Sequence, residues 1–259
     1  MKTSALAVLA LVAVLPVGAA AQDLAADVAA AGSATVRFTY RTRPDVEICD
    51  EDIRIGDDHV GWRGSGWRHA THCRRGPAEV ELDVREGRVR GVEVVRSRAS
   101  ATRGAVDLGE VPAPDAARYL LGLARIAPDR AGEHAVFAAV LADVTGLWRD
   151  LLGLARDRSV PRKARKSALF WIGQQAADSA TRGLREVASD DDEAQDVRNA
   201  AIFSLSQRDA SESVPALMDL ASTAQNAETR RTAMFWLAQS DDPRVPGFFE
   251  SILLGKGGG

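Results

Sequence analysis

Residues 164–175 read ARKSALFWIGQQ, residues 197–208 read VRNAAIFSLSQR, and residues 229–240 read TRRTAMFWLAQS. Set one above another, they align Arg165, Arg198 and Arg230, then Ala168, Ala201 and Ala233. Phe170, Phe203 and Phe235 follow, then Ile172, Leu205 and Leu237, and last Gln174, Gln207 and Gln239. The offsets are 33 and then 32 residues. A second run keeps the register: Leu184, Leu217 and Phe249, then Val187, Leu220 and Ile252. Matched columns at a fixed offset mark a repeat architecture, in which each unit buries a face against its neighbours that it cannot bury alone. The apolar positions recur at helical spacing, so the unit is a pair of helices.

The adjacent aromatics Phe235 and Trp236 test this reading. At 3.6 residues per turn, Ala233 and Leu237 share a face, Phe235 points nearly opposite and Trp236 to one side. A helix apolar around most of its circumference is buried around most of it, so the pair reads as core rather than pocket. The Gln column reads as structural, answering the carbonyls and loop amides left open at a helix end. One period upstream lies a worn copy. Ala135 and Phe137 match the first helix, Leu151, Leu154 and Ala155 match the second, and the Arg and Gln are missing. A further step reaches PDAARYLLGLARI, a single helix with Asp115 near its start, which serves as an opening half-unit.

The Arg-x-x-Ala-x-Phe-x-(Leu/Ile)-x-Gln helix, the Asp-containing turns and second helices such as SVPALMDLA and RVPGFFESIL resemble HEAT repeats, in particular the short phycobilisome-lyase-like kind. The resemblance covers residues 113–254. The whole chain resembles exported bacterial HEAT-repeat proteins that carry an N-terminal β region of unassigned role. That resemblance implies a binding role and supplies no ligand.

The preceding half has a different period. TVRFTYRT alternates Val36, Phe38 and Tyr40 with Thr35, Arg37, Thr39 and Arg41, the pattern of a half-buried strand. In AEVELDVREGRVRGVEVV, Val80, Leu82 and Val84 alternate with acids and Glu86-Gly87 turns the chain. Val89, Val92 and Val94 return, with a bulge at Gly91 where the alternation slips. EDIRIGDDHVGWRGSGWRH (51–69) reads as two or three short strands with tight turns. The small, polar, Pro-containing segment SRASATRGAVDLGEVPAPD (97–115) reads as the boundary. The expected architecture is therefore two domains: a small antiparallel all-β domain at 34–110, then an α-solenoid of HEAT-like helical hairpins at 113–254. Residues 22–33 are an N-terminal extension and 255–259 a disordered tail.

Residues 1–21 read as a signal peptide: Lys2, the apolar run ALAVLALVAVLPVGA, and small residues Ala19 and Ala21 before the cut. No later stretch reaches the apolar length of a membrane span. The expectation is an exported protein, periplasmic or extracellular after cleavage near Ala21. Cys49 and Cys73 are an even pair in such a chain and read as one disulfide. The rival is a metal site from His69, His72 and Cys73, with His59 upstream, but structural zinc prefers paired ligands at short fixed spacing and Cys49 has none nearby.

Function classes narrow by elimination. A net charge of −3 argues against a broad nucleic-acid surface. Ser65 in GWRGSGW lacks the first Gly of a nucleophile elbow, and there is neither a phosphate-binding Gly-x-x-x-x-Gly-Lys-(Ser/Thr) nor a His-Glu-x-x-His. His134 follows Glu133 in the reverse of the order used by iron-binding HEAT-like enzymes. SDDDEAQD (189–196) reads as carboxylates favouring the start of the next helix rather than as a cation site. Trp62 and Trp67 read as loop packing before a glycan platform. No cofactor, metal or catalytic residue is expected. The expected role is a protein–protein interaction scaffold, with Arg149, Arg182 and Arg185 on the second helices as the partner-binding set on the concave side. The alternative is a ligand- or metal-binding module in the β domain with the solenoid as support.

Overall fold

The computed structural model describes residues 23–50, 52–56, 72–97, 101–174 and 178–254. The proposed leader, His59, Trp62, Ser65, Trp67, His69 and the proposed tail lie outside the described residues. The first half holds α1 (Leu24–Ala30), β1 (Thr35–Tyr40), β2 (Val46–Cys49), β3 (Ile53–Ile55), β4 (Cys73–Arg74), β5 (Ala78–Arg85), β6 (Arg88–Val94) and β7 (Val106–Glu110). Four strands form one sheet in the order β6-β5-β1-β7, and a second, smaller sheet runs β3-β2-β4.

The alternation at 35–40 and 78–84 builds the larger sheet as expected. Val36, Phe38, Tyr40, Val80, Leu82 and Val84 all point into one fully buried face. The hairpin turns at Glu86 (φ 53°) and Gly87 (φ 71°), both left-handed, as a tight β5–β6 connection requires. The bulge sits at Arg90–Gly91, opposite Asp83 and Val84. On the other face Arg37 bridges Glu79 at 2.9 Å and Glu81 at 2.7 Å, while Thr102 donates its N–H and hydroxyl to Glu81 at 2.9 and 2.7 Å. These bonds staple the 101–104 loop across the sheet.

One expectation is corrected: the larger sheet is mixed rather than antiparallel, because β7 runs parallel to β1. Ahead of the strands, the N-terminal extension carries α1, with Leu24 and Val28 buried. The segment 97–115 hid a strand because β7 is an edge strand with mostly exposed side chains, and so carries no alternation. α1 buries a single i,i+4 pair over barely two turns, too little to show a helical period.

The second half is α2 (Ala113–Ile126), α3 (Asp129–Leu141), α4 (Trp148–Arg156), α5 (Arg162–Gly173), α6 (Asp178–Ser189), α7 (Gln195–Ser206), α8 (Ala210–Thr223), α9 (Ala227–Leu237) and α10 (Arg244–Leu253). The repeat columns fall where the sequence places them: α5, α7 and α9 are first helices, and α6, α8 and α10 second helices. α3, α5, α7 and α9 pack side by side as one layer, and α2, α4, α6 and α8 line the other. Each second helix packs most extensively on the first helix of the following unit, so the tight pairs are α4–α5, α6–α7 and α8–α9.

The Arg column explains that pairing. Arg165 donates its Nε–H to Ala155 O, near the end of α4, at 2.7 Å and pairs with Glu193; both side chains are buried. Arg198 donates to the carbonyls of Asp190, Asp191 and Glu193 at 3.1, 2.9 and 2.7 Å. Arg230 donates to Ala224 O and Gln225 O, both at 2.7 Å. Each arginine therefore satisfies carbonyls at the end of the preceding second helix or in the turn just after it. It latches that end to the next unit.

α2 and α3 also cover the larger sheet. Tyr119 meets Phe38 edge-on at 6.4 Å, Tyr40 donates its hydroxyl to Ala138 O at 2.5 Å, and Arg43 N–H and Asp143 N–H bond Leu141 O and Arg41 O at 3.0 Å. One continuous apolar core runs from Leu24 to Val245. The opening helices of the repeat are thus the second layer of the β region.

Candidate functional site

The three arginines proposed for partner binding lie on the second-helix layer and are exposed. Arg149 lies over the Trp148 ring at 4.7 Å, and Arg185 pairs with Asp219 of α8 at 3.4 Å. Arg156 on α4 pairs with Glu186 on α6 in the same layer. Charges of both signs alternate along this surface, and of the three only Arg185 makes an ion pair among the described residues. Cys49 and Cys73 are joined, tying β2 to β4. His72 lies 3.5 Å from Asp50 at the exposed surface. Among the described residues no three His, Cys, Asp or Glu side chains gather as metal ligands.

The first-helix layer carries a different surface. Phe137 stacks on Trp171 at 5.5 Å, Phe170 on Phe203 at 6.5 Å, and Phe203 meets Trp236 at 5.1 Å, so rings follow one another from helix to helix. Their cover decreases along the stack. Phe137 is buried, Phe170, Phe203 and Trp236 are partly buried, and Phe235 is 55% exposed. The expectation of a buried Phe235–Trp236 pair is corrected at Phe235: this column points to the outer flank of the helix, where the aromatic of the next unit adds to the cover given by the ring's own helix. Trp236 has Phe203 to lean on; Phe235 has Trp236 alone, at 5.1 Å.

The Gln column shares that flank one turn further on. Gln174, Gln207 and Gln239 are all exposed, and Gln207 reaches only the hydroxyl of Ser206 at 3.2 Å. The expectation that they close helix ends is corrected: no side-chain bond from them to a helix-end carbonyl is seen among the described residues. Between Phe170 and Phe203 the surface opens into a groove of about 360 Å³, floored by Ala200 with Lys163 and Lys166 at its rim. The hydroxyls of Ser167 and Ser204 beside it are buried and have no hydrogen-bond partner among the described residues. Lys166 pairs with Asp196 at 3.0 Å, where burial pushes the carboxyl up and the Lys166 bond and charge hold it below its usual range.

Ser204 stands where the neighbouring units have Trp171 and Trp236. A tryptophan does not fit there, because α5 comes close at Gly173: a Cβ on Gly173 would lie 2.8 Å from Ser204 O. The acidic run is also more than a helix start. Asp196 lies in the first turn of α7 as expected, but Glu193 is the buried partner of Arg165.

A cleft of about 550 Å³ lies where α3 meets β6, lined by Asp52, Glu93, Arg96, Arg130, His134 and Phe137. His134 donates its Nδ1–H to Val92 O at 2.9 Å, and Glu93 comes within 4.0 Å. Sequence reasoning passed over this cleft because its two walls are distant in the chain.

No helix among the described residues is long and apolar enough to cross a membrane. No curated protein and no solved structure matches the chain. Residues 150–246, within the helical half, match the family model described as HEAT repeats.

Proposed function

We propose that the protein is an exported interaction scaffold that binds a protein partner through its HEAT-type solenoid and performs no catalysis. The observation that carries this is the first-helix face: a periodic stripe of partly exposed phenylalanines beside exposed glutamines. Aromatic rings exposed next to uncommitted amides supply both the apolar anchors and the adaptable hydrogen bonds of a protein interface. HEAT repeats commonly serve this role, which supports the same reading. The Cys49–Cys73 bond supports an oxidising compartment and, with the leader-like residues 1–21, an exported, phycobilisome-lyase-like architecture.

Photo-crosslinkers placed at Gln174, Gln207 and Gln239 test the assignment against the same groups at Arg149, Arg182 and Arg185. A partner captured from the first set supports the Phe–Gln face. Capture from the arginines alone moves the contact to the second-helix layer. Turnover in a broad hydrolase screen, abolished by a substitution around His134, overturns the scaffold reading. A second reading, favoured by the cleft at β6 and α3, is that the β half holds a small ligand with the solenoid as its support.

A further inference from the structure

A groove of about 660 Å³ runs between α1, the turn into β6, and α2. Its walls are apolar: Val28 of α1, Val89 of β6, and Tyr119, Leu123 and Ile126 of α2. Ile126 is 79% exposed at its rim, a large aliphatic side chain left in water. The small residues Ala25 and Ala29, and Gly122 across from them, keep the groove open; a Cβ on Gly122 would meet nothing within 4 Å. Arg88 and Arg90 flank Val89 at the groove's edge on β6, and both are exposed. Neither makes an ion pair among the described residues, although most of the described arginines do. Tyr119 adds a hydroxyl that bonds to no described residue.

An open apolar channel with a few polar groups at one place has the composition of a small-molecule site. The groove follows about two turns of α2, from Tyr119 to Ile126, and its only charged lining residues are the two arginines. A carboxylate or other anion at the arginines, continued by an unbranched hydrocarbon along Val89, Leu123 and Ile126, satisfies both ends. We propose that this groove binds the monomeric anion of a single-chain fatty acid, with its head group at Arg88 and Arg90 and its chain between α1 and α2. This goes beyond both readings above, neither of which requires an apolar ligand.

The test is calorimetric titration of the full chain with dodecanoate, decanoate and dodecanol below their aggregation limits. One dodecanoate per chain is expected, with decanoate about tenfold weaker, since two methylenes leave the protein. Arg88→Glu combined with Arg90→Glu should weaken dodecanoate about tenfold or more and leave dodecanol within about twofold, because only the anion needs the charge. Gly122→Phe fills the channel from a helix position where replacing glycine favours the fold, and should abolish binding of all three. Ala25→Phe on the opposite wall does the same should that variant fail to fold. Absence of saturable binding, or unchanged binding by a folded Gly122→Phe protein, overturns the proposal. So does association with phosphatidylglycerol vesicles but not with monomeric dodecanoate, which makes the patch a membrane contact. A dimer in light scattering that Gly122→Phe splits also overturns it, because the groove is then an interface.

Discussion

Arg165 and Glu193 form a charged pair inside a helical stack, and each depends on the other to be there. Burial pushes the Glu193 carboxyl up, but the bonds from Arg165 and from Ala194 N–H outweigh it and hold the group below its ordinary value of 4.5. Replacing Arg165 with Met should cost about 3–5 kcal/mol, because it strands a carboxylate in the core. The matching Glu193→Gln change gives the pH dependence. A depressed carboxylate contributes stability above the unfolded pKa and loses it as pH falls through the folded one. The stability gap between the native protein and Glu193→Gln should therefore be flat from neutrality to about pH 5 and narrow below that; a gap that widens on acidification contradicts the assignment. At Gly173 the constraint is space. Gly173→Ala pushes a methyl to 2.8 Å from a backbone oxygen of α7 and should destabilise by about 1–3 kcal/mol, measured by urea unfolding. The Arg column was visible in the sequence, but its role was not. An arginine at a buried register looks the same whether it answers a carboxylate or carbonyls, and that depends on how the preceding helix ends.

The first helices of successive units have nearly one sequence and unequal surroundings. Because each ring of the Phe column is covered by the unit that follows, truncation should cost less along the stack. Phe137→Ala should cost about 3–5 kcal/mol as a buried ring, Phe203→Ala about 1–2 kcal/mol as a partly covered one, and Phe235→Ala no more than about 0.5 kcal/mol. Equal losses at the three positions would mean that Phe235 is covered in solution. Periodicity revealed every helix of the repeat and the hairpin β5–β6, since each buries one regular stripe. It could not separate a buried column from an exposed one at the same helical angle, because the difference lies in the neighbouring unit. For the same reason Phe235 looked like core and the glutamines looked like caps. The edge strand β7 failed in the opposite sense, being structured while covering little more than Leu108.

At the scale of the molecule, the change of period near residue 113 marks a change of secondary structure, while the core runs through it. α2 and α3 lean on the sheet with one side and on α4 and α5 with the other. A chain cut to residues 113–254 should keep slow hydrogen exchange in α5, α7 and α8 and lose it in α2 and α3, whose sheet-facing side becomes wet. Uniform protection would show that the helices need no sheet. Reducing Cys49–Cys73 should act on the other side of this junction. Its closed loop stabilises by about 3 kcal/mol through restriction of the unfolded chain, so reduction should loosen β2 and β4 and leave the helical circular dichroism of the solenoid intact. Thiol titration of the unreduced, denatured protein should find no free cysteine. The disulfide was legible because two cysteines allow one pairing. The clefts at the junction were not, since each joins walls that only the packing of helix on sheet brings together.

The parallel pairing of β1 with β7 sets an order of events in time. Val36 waits for Val106, so the larger sheet cannot close until the chain has come back from the whole of the smaller sheet and the β5–β6 hairpin. Each helical unit needs only its neighbours. Contacts distant in sequence form slowly because a long loop must close before any of them is gained. In pulse-labelled refolding α5, α7 and α8 should therefore become protected first, with β1 and β7 last, and the partly folded protein would be a stack of helices whose sheet-facing end is still open. A chaperone or a nascent partner meeting that species would find α2 and α3 bare. The surface it could grip is one that the native protein no longer shows.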